Sequence, residues 1–372
     1  MKIGILTLPF NNNYGGLLQC YALQKFLKEE GHEVYVIKHH TSRPKTFTSK
    51  ISDAIRIITG KTRKYKKQIA SMQQFEKQYF QETHPICSTE EYKNLKKYNF
   101  DALIVGSDQV WRFQYTEENF SEYFFNFAKE WDIKRYAFAA SFGVDTWDLN
   151  ASDTKKLQEL CKIFDKISVR ELTGVKLCKE NLHCDSTHLL DPTFLLSPDE
   201  YRLLYDNKIL KDNTLAVYLL DINPSKMDAV KKISQQMHLN PIYIGRNPQN
   251  NIFNRVEDWL KGIDSSNLVI TDSFHGVVFS IIFNKPFVLI MNEARGANRF
   301  FSLFQTFGFN KTYSCATQFS PEYINRIDTD LRNQIIEENK KSSISFIRNF
   351  AIFIHPSTNL VRGVCCLCLQ MK

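Results

Sequence analysis

The chain has 372 residues, of which 43% are hydrophobic and 24% are charged, and its formal net charge is +8. This length and composition predict a globular protein of two domains and exclude a disordered, collagen-like or low-complexity chain. No apolar run reaches the roughly 18 residues that cross a bilayer, and the first residues resemble a strand rather than a signal peptide. We therefore expect a cytoplasmic protein. The nine cysteines are irregularly spaced, which favours free thiols over disulfides.

The first half of the chain alternates short apolar runs with longer segments of helical period, which is typical of a parallel sheet covered by helices. The predicted strands are Lys2–Thr7, Glu33–Lys38, Asp101–Val105, Arg135–Ala140 and Lys166–Val169. The predicted helices are Leu17–Glu30, Ile69–Phe80, Ser152–Phe164 and Glu171–Lys179. We assign residues 1–195 to a first α/β domain.

A basic segment interrupts this series between residues 43 and 67. Nine Lys or Arg and one acid give it a net charge of +8, which equals the net charge of the whole chain. Its apolar residues recur at helical spacing and predict an amphipathic helix; they are Ile51, Ala54, Ile55 and Ile58. Two interpretations stay open: a surface that docks on anionic lipid or on a lipid-linked acceptor, and a solvated helix packed through its isoleucines. Nucleic acid is not expected, because the segment has few aromatic residues and no recognised motif.

The second half restarts the alternation after a polar stretch near residues 195–213. This indicates a second α/β domain over residues 196–354 and a tail over 355–372. The predicted strands are Thr214–Leu220, Pro241–Ile244, Leu268–Thr271 and Phe287–Met291. The predicted helices are Ser225–Met237, Val256–Gly262, Gly276–Asn284 and one or two within Pro321–Phe353. Three cysteines cluster in the tail without partners at ligand spacing, so we expect no metal site.

Four loops lie at the position where open parallel sheets bind ligands, beyond the carboxyl ends of the strands. The first loop contains Asn12, Tyr14, Gly15 and Gly16. Its paired glycines let the backbone approach a ligand closely, and the following helix offers unpaired N–H groups. An ordinary Asn/Gly turn without a ligand is the alternative.

The second and third loops carry polar and cationic groups. In the second, Asp108 and Gln109 can bind sugar hydroxyls while Trp111 stacks on a sugar ring, or Trp111 can belong to the core. The third places Arg170 at a strand end before a helix. Its guanidinium group can bind a carboxylate or phosphate, or form a salt bridge with a neighbour such as Glu171.

The fourth loop, residues 271–276, gives the strongest indication of function. An apolar strand ends there, Asp272 or Ser273 can cap the next helix, and His275 stands at the entrance of that helix. A titratable group at a helix N-terminus and a strand end favours a functional histidine over a structural one. Downstream, Arg295 and Arg299 can contact phosphate, although surface arginines are an equal alternative.

Four motifs in this order resemble the polysaccharide pyruvyl transferase family: NYGGLLQCYAL at 13–23, VGSDQVW at 105–111, SVRE at 168–171 and TDSFHG at 271–276. The resemblance implies an α/β fold of two Rossmann-like lobes with parallel sheets, similar to GT-B glycosyltransferases, with an active cleft between the lobes. It also implies a transferase of capsule or exopolysaccharide synthesis. Such an enzyme moves the pyruvyl group of phosphoenolpyruvate onto sugar hydroxyls and forms a pyruvate ketal.

The resemblance also implies roles for individual residues. His275 matches the family's histidine near phosphoenolpyruvate, and we assign it to proton transfer, with Asp108 orienting the acceptor or acting as a base. At Ser273 the chain departs from the family, whose characterised members tend to have an arginine two positions before the histidine. The expected donor-binding residues are Arg170, Ser273, Arg295 and Arg299. The expected acceptor-binding residues are Asn12, Tyr14, Gly15, Gly16, Gln109 and Trp111.

Phosphoenolpyruvate is expected as a co-substrate, so we expect no cofactor and no metal. The expected partner is a saccharide acceptor, and the basic segment leaves lipid linkage and peripheral contact with an anionic membrane open. Two other functions also stay open: a GT-B glycosyltransferase that uses a nucleotide sugar, and a non-catalytic saccharide-binding protein on a degenerate enzyme fold. Release of phosphate or of nucleotide distinguishes the two enzymes.

Overall fold

The computed structural model describes residues 1–10, 12–39, 61–206, 213–246, 248, 252–291, 296 and 298–348, with the backbone alone at 61–69 and 117–118. Three predicted features lie outside the described residues: most of the basic segment, the tail at 355–372 and Arg295. Within the described ranges, no helix combines the length and the apolar character that crossing a membrane requires.

The first lobe is built on a parallel sheet of six strands in the order β2-β1-β3-β4-β5-β6. The strands are β1 Lys2–Leu6, β2 Glu33–Val36, β3 Ala102–Val105, β4 Lys134–Ala140, β5 Lys166–Val169 and β6 Thr187–His188. Every residue of β3 is buried, as expected of a central strand with helices on both faces. The five strands predicted in this half are confirmed, whereas the short polar β6 was not predicted.

The second lobe is built on a parallel sheet of four strands in the order β10-β9-β7-β8. The strands are β7 Thr214–Tyr218, β8 Asn240–Tyr243, β9 Leu268–Thr271 and β10 Phe287–Leu289. All four strands predicted in this half are confirmed. Because all strands in each sheet are parallel, their carboxyl ends lie together at one edge, where the candidate loops are found.

Helices connect the strands in both lobes. The helices are α1 Tyr14–Glu29, α2 Lys61–Tyr79, α3 Phe113–Thr116, α4 Ala151–Cys161, α5 Leu172–Leu177, α6 Pro198–Arg202, α7 Pro224–Met237, α8 Val256–Asp264, α9 Phe274–Ile282, α10 Asn298–Phe307 and α11 Thr329–Arg348. Shorter helical turns are Thr89–Tyr98, Glu117–Phe124, Asn126–Ala128, Cys178–Leu182, Pro192–Leu195 and Pro321–Tyr323.

Side-chain caps fix where several of these helices begin. The side chain of Asn13 accepts a hydrogen bond from the Gly16 amide at the start of α1, and that of Asn223 accepts one from the Lys226 amide at the start of α7. Each cap satisfies a backbone donor that the first turn leaves unpaired. Asn13 thereby fixes the path of the first candidate loop into α1.

The two lobes share part of one hydrophobic core. The Tyr14 ring of α1 stacks on the Trp259 ring of α8 with 5.3 Å between centroids, and the Tyr14 hydroxyl donates to the Asn254 carbonyl oxygen at 2.7 Å. The last helix, α11, returns to the first lobe, where Phe346 meets Phe138 of β4 at 5.8 Å. These contacts fix the second lobe against the first. The predicted domain limits at residues 195 and 354 stay predictions.

Candidate active site

A cleft of about 480 Å³ opens where loops at the carboxyl ends of both sheets meet. This volume falls within the roughly 300–1,000 Å³ range of small-molecule sites. Six of the predicted site residues lie on its wall: Asn12, Asp108, Gln109, Ser273, His275 and Arg299. The structure therefore brings residues of the first, second and fourth candidate loops together with the downstream arginine, as predicted for an interdomain cleft.

His275 is the second residue of α9 and lies in the wall of the cleft with 5% of its surface exposed. Its ring lies directly against Gly15 of α1, because a Cβ atom added at Gly15 would come within 1.8 Å of Nδ1. The other nitrogen, Nε2, is 3.4 Å from Oδ2 of Asp191. Glycine is thus required at position 15 to leave room for the imidazole, and the two ring nitrogens have different surroundings.

Asp191, which the sequence analysis did not select, lies at the centre of the site. Its Oδ1 accepts hydrogen bonds from the amide of Thr193 at 3.1 Å and from the hydroxyl of the same residue at 2.9 Å. Its Oδ2 accepts from the Ser107 hydroxyl at 3.0 Å and from Nη1 of Arg170 at 2.7 Å, and it faces His275. One buried carboxylate therefore links the second, third and fourth candidate loops.

The surroundings of Asp191 keep it ionised. Burial alone would raise its pKa, but His275 and then Arg170 outweigh burial and hold the pKa of Asp191 well below its usual range. A buried carboxylate is stable when charged partners and hydrogen-bond donors surround it, as they do here. Asp191 is thus a fixed negative charge beneath His275.

Two guanidinium groups lie near the ring of Phe274, the first residue of α9. The Cζ atom of Arg170 is 4.5 Å from the ring centroid, and that of Arg299 is 5.3 Å from it. Burial and then repulsion from Arg170 lower the pKa of Arg299 to about 10, so it still carries its charge at neutral pH. Arg299 and the N-terminus of α9 make this part of the cleft favourable for an anion.

Arg170 does not have the position that we predicted for it. It is not among the residues that line the cleft, it is 3% exposed, and its salt bridge is formed with Asp191 rather than with Glu171. Glu171 is itself fully buried and accepts a hydrogen bond from the Ser141 hydroxyl. Burial raises the pKa of Glu171, although Arg170 opposes that rise. Arg170 therefore lies behind the cleft wall, which corrects the prediction that it contacts the donor directly.

Asp108 is held on the cleft wall in an unusual backbone conformation. Its φ angle is +77°, in the left-handed region that few non-glycine residues adopt. One carboxylate oxygen accepts from the amide of Gln109 at 2.9 Å, and the other accepts from the side-chain nitrogen of Asn13 at 2.9 Å. Strain of this kind clusters at functional sites and is consistent with a role in the reaction.

The positions of Trp111 and Tyr14 contradict their predicted contacts with the acceptor. The Trp111 side chain is 1% exposed, donates from Nε1 to the Tyr123 carbonyl oxygen and stacks on Phe124 at 4.6 Å. Tyr14 is fully buried against the second lobe. Neither ring has a face open to a sugar, so the core placement is correct for Trp111. The predicted acceptor role of Gly15 and Gly16 stays a prediction.

The start of α9 also differs from its prediction. Neither Asp272 nor Ser273 caps the helix with its side chain. Asp272 instead accepts from the amides of Leu220 and Asp221 and from Nζ of Lys226, at 2.6, 3.3 and 2.6 Å. Asp272 therefore stabilises the loop after β7. Ser273 lines the cleft, and its side chain forms no capping hydrogen bond.

The sequence analysis assigned no site role to Asp191, Arg246 or Tyr115. Arg246 after β8 is exposed and lines the cleft, as does Tyr115, which is 40% exposed. Asp191 had a local signal, because an acid followed by proline and threonine comes directly after the apolar pair Leu189 and Leu190. That pattern indicates a capped turn, and nothing in it points to the histidine 84 residues away.

Comparison with solved structures shows the fold. The UDP-GlcNAc 2-epimerase from Methanocaldococcus jannaschii is 11% identical with a TM-score of 0.52, over 94% of this chain and 99% of that one. A putative UDP-N-acetylglucosamine 2-epimerase from Listeria monocytogenes is 12% identical with a TM-score of 0.50, over 97% and 99%. The predicted α/β fold, with two Rossmann-like lobes arranged as in GT-B enzymes, is confirmed.

Sequence comparison gives the family. A search among curated proteins found no match to the chain. The family model described as polysaccharide pyruvyl transferase matches residues 13–293, which include all four motifs together with Asp191 and His275. Because this match spans well over half of its 372 residues, the chain belongs to the polysaccharide pyruvyl transferase family.

Proposed function

We propose that this protein transfers the pyruvyl group of phosphoenolpyruvate to two hydroxyls of a sugar and so forms a pyruvate ketal. The observation that carries the proposal is His275 in the wall of a cleft that also holds the buried cation Arg299 and the N-terminus of α9. A small, multiply charged donor fits this combination of a proton-transfer group and positive charge. The family membership of the chain supports the same reaction class.

The reaction begins with a proton transfer from His275 to C3 of the donor, which leaves positive charge at C2. The oxygen of one sugar hydroxyl then bonds to C2 and loses its proton to a base, and Asp108 on the cleft wall is the candidate for that base. A second hydroxyl attacks C2 as the C–O bond to phosphate breaks, and the departing phosphate takes the second proton. The products are the ketal and inorganic phosphate.

Ser273 and Arg299 bind the donor in this proposal. The family tends to have an arginine where this chain has Ser273, so a guanidinium from another position has to neutralise the anion. Arg299 is the buried guanidinium on the cleft wall, and Ser273 adds a hydroxyl beside the amides that begin α9. A charge-assisted contact of this kind contributes about 1.5–3 kcal/mol.

The acceptor enters from the exposed side of the cleft. Asn12, Tyr115 and Arg246 are exposed there, and Gln109 lies deeper, with its side-chain oxygen accepting from Arg112 at 2.8 Å. Hydroxyl-rich ligands suit such amide and aromatic groups. We propose a saccharide of a capsule or exopolysaccharide as the acceptor. The charge of +8 in residues 43–67 favours a lipid-linked form at an anionic membrane surface.

The test is donor-dependent release of phosphate with a panel of free, nucleotide-linked and lipid-linked saccharides, with mass spectrometry of the products. We expect phosphate release that requires both substrates, and His275→Ala should lower turnover about 100-fold or more while the fold is kept. His238→Asn, at an exposed histidine of the second lobe, is the matched control and should retain full turnover. Nucleotide release without phosphate release would instead favour a glycosyltransferase, and saccharide binding without turnover a binding protein.

A further inference from the structure

Asp191 occupies a position that the proposed reaction does not yet use. It does not itself line the cleft, yet it touches the loops after β3 and β5 and the start of α9 through Ser107, Arg170 and His275. Most of its contacts are long-range in sequence, and it is 2% exposed. Because these partners lie on different elements, the tertiary fold fixes the position of the Asp191 carboxylate.

We propose that Asp191 is a positioning residue that holds the proton of His275 on Nε2 and leaves Nδ1 as the nitrogen that exchanges a proton with the donor. The inference deepens the proposed function and rests on it for its kinetic part. Asp191 acts through His275, and it does not touch the substrate. Neither the fold nor the family membership specifies which ring nitrogen of His275 reacts.

The geometry separates the two nitrogens. Nε2 is buried without a well-aligned hydrogen-bond partner and lies 3.4 Å from Oδ2 of Asp191, so a small rotation of the ring completes a bond to that carboxylate. Nδ1, which is separated from Nε2 by Cε1, lies next to Gly15. Because ionised Asp191 only accepts hydrogen bonds, the nitrogen that faces it carries the hydrogen, and in the neutral ring the other nitrogen is unprotonated.

Charged groups from several elements lie around the ring of His275. The groups that surround it are Asp191 after β6, Arg170 after β5, Asp108 after β3 and Arg299 on α10, while α1 presents Gly15. Arg170 balances part of the Asp191 charge through a 2.7 Å contact.

A buried carboxylate next to a histidine has a recognised physical consequence. It fixes the tautomer and orientation of the ring and stabilises the cation that forms when the ring takes a second proton. Thr193 and Ser107 hold Asp191 itself in place through three hydrogen bonds. The side chain that transfers the proton is thus supported by a group whose own position is fixed.

The first experiment needs no donor and uses the full-length wild-type protein. Nitrogen NMR of selectively histidine-labelled protein, with the His275 signals assigned by their loss in His275→Gln, reports which ring nitrogen of the neutral form carries the proton. We expect the hydrogen on Nε2. A neutral ring protonated on Nδ1 would overturn the proposal, and this result does not depend on whether phosphoenolpyruvate is the donor.

The second experiment compares Asp191→Asn with Asp264→Asn. Asp264 accepts two hydrogen bonds from Arg202 on the second lobe, so its replacement removes a paired carboxylate that does not touch the site. We expect Asp191→Asn to lower kcat about 100-fold, with a smaller change in the donor KM, and Asp264→Asn to leave both unchanged.

A folded Asp191→Asn variant with a normal kcat would show a structural role alone and would overturn the proposal. Circular dichroism identifies a variant that has not folded, and in that case the tautomer measurement on the wild-type protein decides. If the tautomer is as expected but no saccharide gives phosphate release, the proposed function fails and the placement of the His275 proton stands.

Discussion

Asp191 and Asp272 are both buried carboxylates that follow strands, and each forms a short ion pair, Asp191 with Arg170 at 2.7 Å and Asp272 with Lys226 at 2.6 Å. Their remaining contacts differ. Asp272 binds backbone amides of the neighbouring β7 loop within its own lobe, whereas Asp191 faces His275 across the boundary between the lobes. The ion pair of Asp272 thus stabilises a loop within the second lobe, whereas the ion pair of Asp191 helps to fix the position of a site residue.

From the difference between Asp191 and Asp272 we expect that the contacts of a residue decide whether its replacement mainly affects turnover or stability. Residues whose contacts join the two lobes at the cleft set the position of the reacting groups, so their replacement should affect turnover more than stability. Residues whose contacts stay inside one lobe hold that lobe together, so their replacement should affect stability more than turnover. Variants of both kinds test the distinction.

Gly15→Ala should give the largest effect on turnover, a loss of about 100-fold or more. The added methyl group would come within 1.8 Å of Nδ1 of His275, so the buried ring has to move away from its position. Phosphate release measures turnover, and thermal unfolding measures stability.

Gly31→Ala is the matched control for this variant. Gly31 has a φ of +86° and no atom within 4 Å of an added Cβ, so alanine costs strain of about 1 kcal/mol without a steric clash. Its turnover should stay normal. If Gly15→Ala retained normal turnover, the close contact between α1 and the imidazole would have no part in the reaction.

Arg299→Lys should give the second largest effect, an increase of about tenfold in the KM for the donor with a smaller change in kcat. Lysine keeps the charge but loses the planar pair of donors, and a loss of about 1.4 kcal/mol in binding corresponds to tenfold in affinity. Steady-state kinetics with varied phosphoenolpyruvate measures the change.

Arg202→Lys is the control for that substitution. Arg202 forms the same kind of two-point contact, with Asp264 at 2.8 and 2.9 Å, but this pair lies within the second lobe and outside the cleft wall. Its KM for the donor should be normal. An equal rise in both variants would mean that Arg299 affects binding through the stability of the lobe and not through contact with the donor.

Asp272→Asn should give the smallest effect on turnover, less than about threefold per folded molecule, with a loss of about 3 kcal/mol in the free energy of unfolding. Breaking one partner of a buried ion pair leaves Lys226 as an uncompensated charge, which is costly. Urea denaturation measures the stability, and phosphate release normalised to folded protein measures the turnover. A large loss of turnover with normal stability would remove the distinction between Asp191 and Asp272.

Local sequence patterns predicted most of the fold. Strands β5 and β9 were predicted with their observed limits because short β-branched, apolar runs bounded by polar residues specify buried strands. The two-residue strand β6 was missed, since it carries no such run. Helix α10 was also missed, because its phenylalanine, serine and threonine residues are weak helix formers and its helicity depends on packing.

Local signals likewise identified part of the candidate site. His275 was recognisable because its signal is local: a strand end, a glycine and a helix start within a few residues. The core position of Trp111 and the true partner of Arg170 were not recognisable in this way. Both depend on residues that approach only after the chain has folded, Phe124 and Tyr123 in the first case and Asp191 in the second.

The sequence by itself determined the two series of strands and helices, the loops that bear polar groups at the carboxyl ends of the strands, and the histidine at the start of α9. These features depend on interactions over a few residues, which the order of side chains specifies directly. Only the tertiary structure decided that Gly15 faces Nδ1, that Asp191 faces Nε2 and that Arg170 lies behind the cleft wall. Those contacts join residues from different loops and lobes, so they exist only once the lobes have packed together around a shared core.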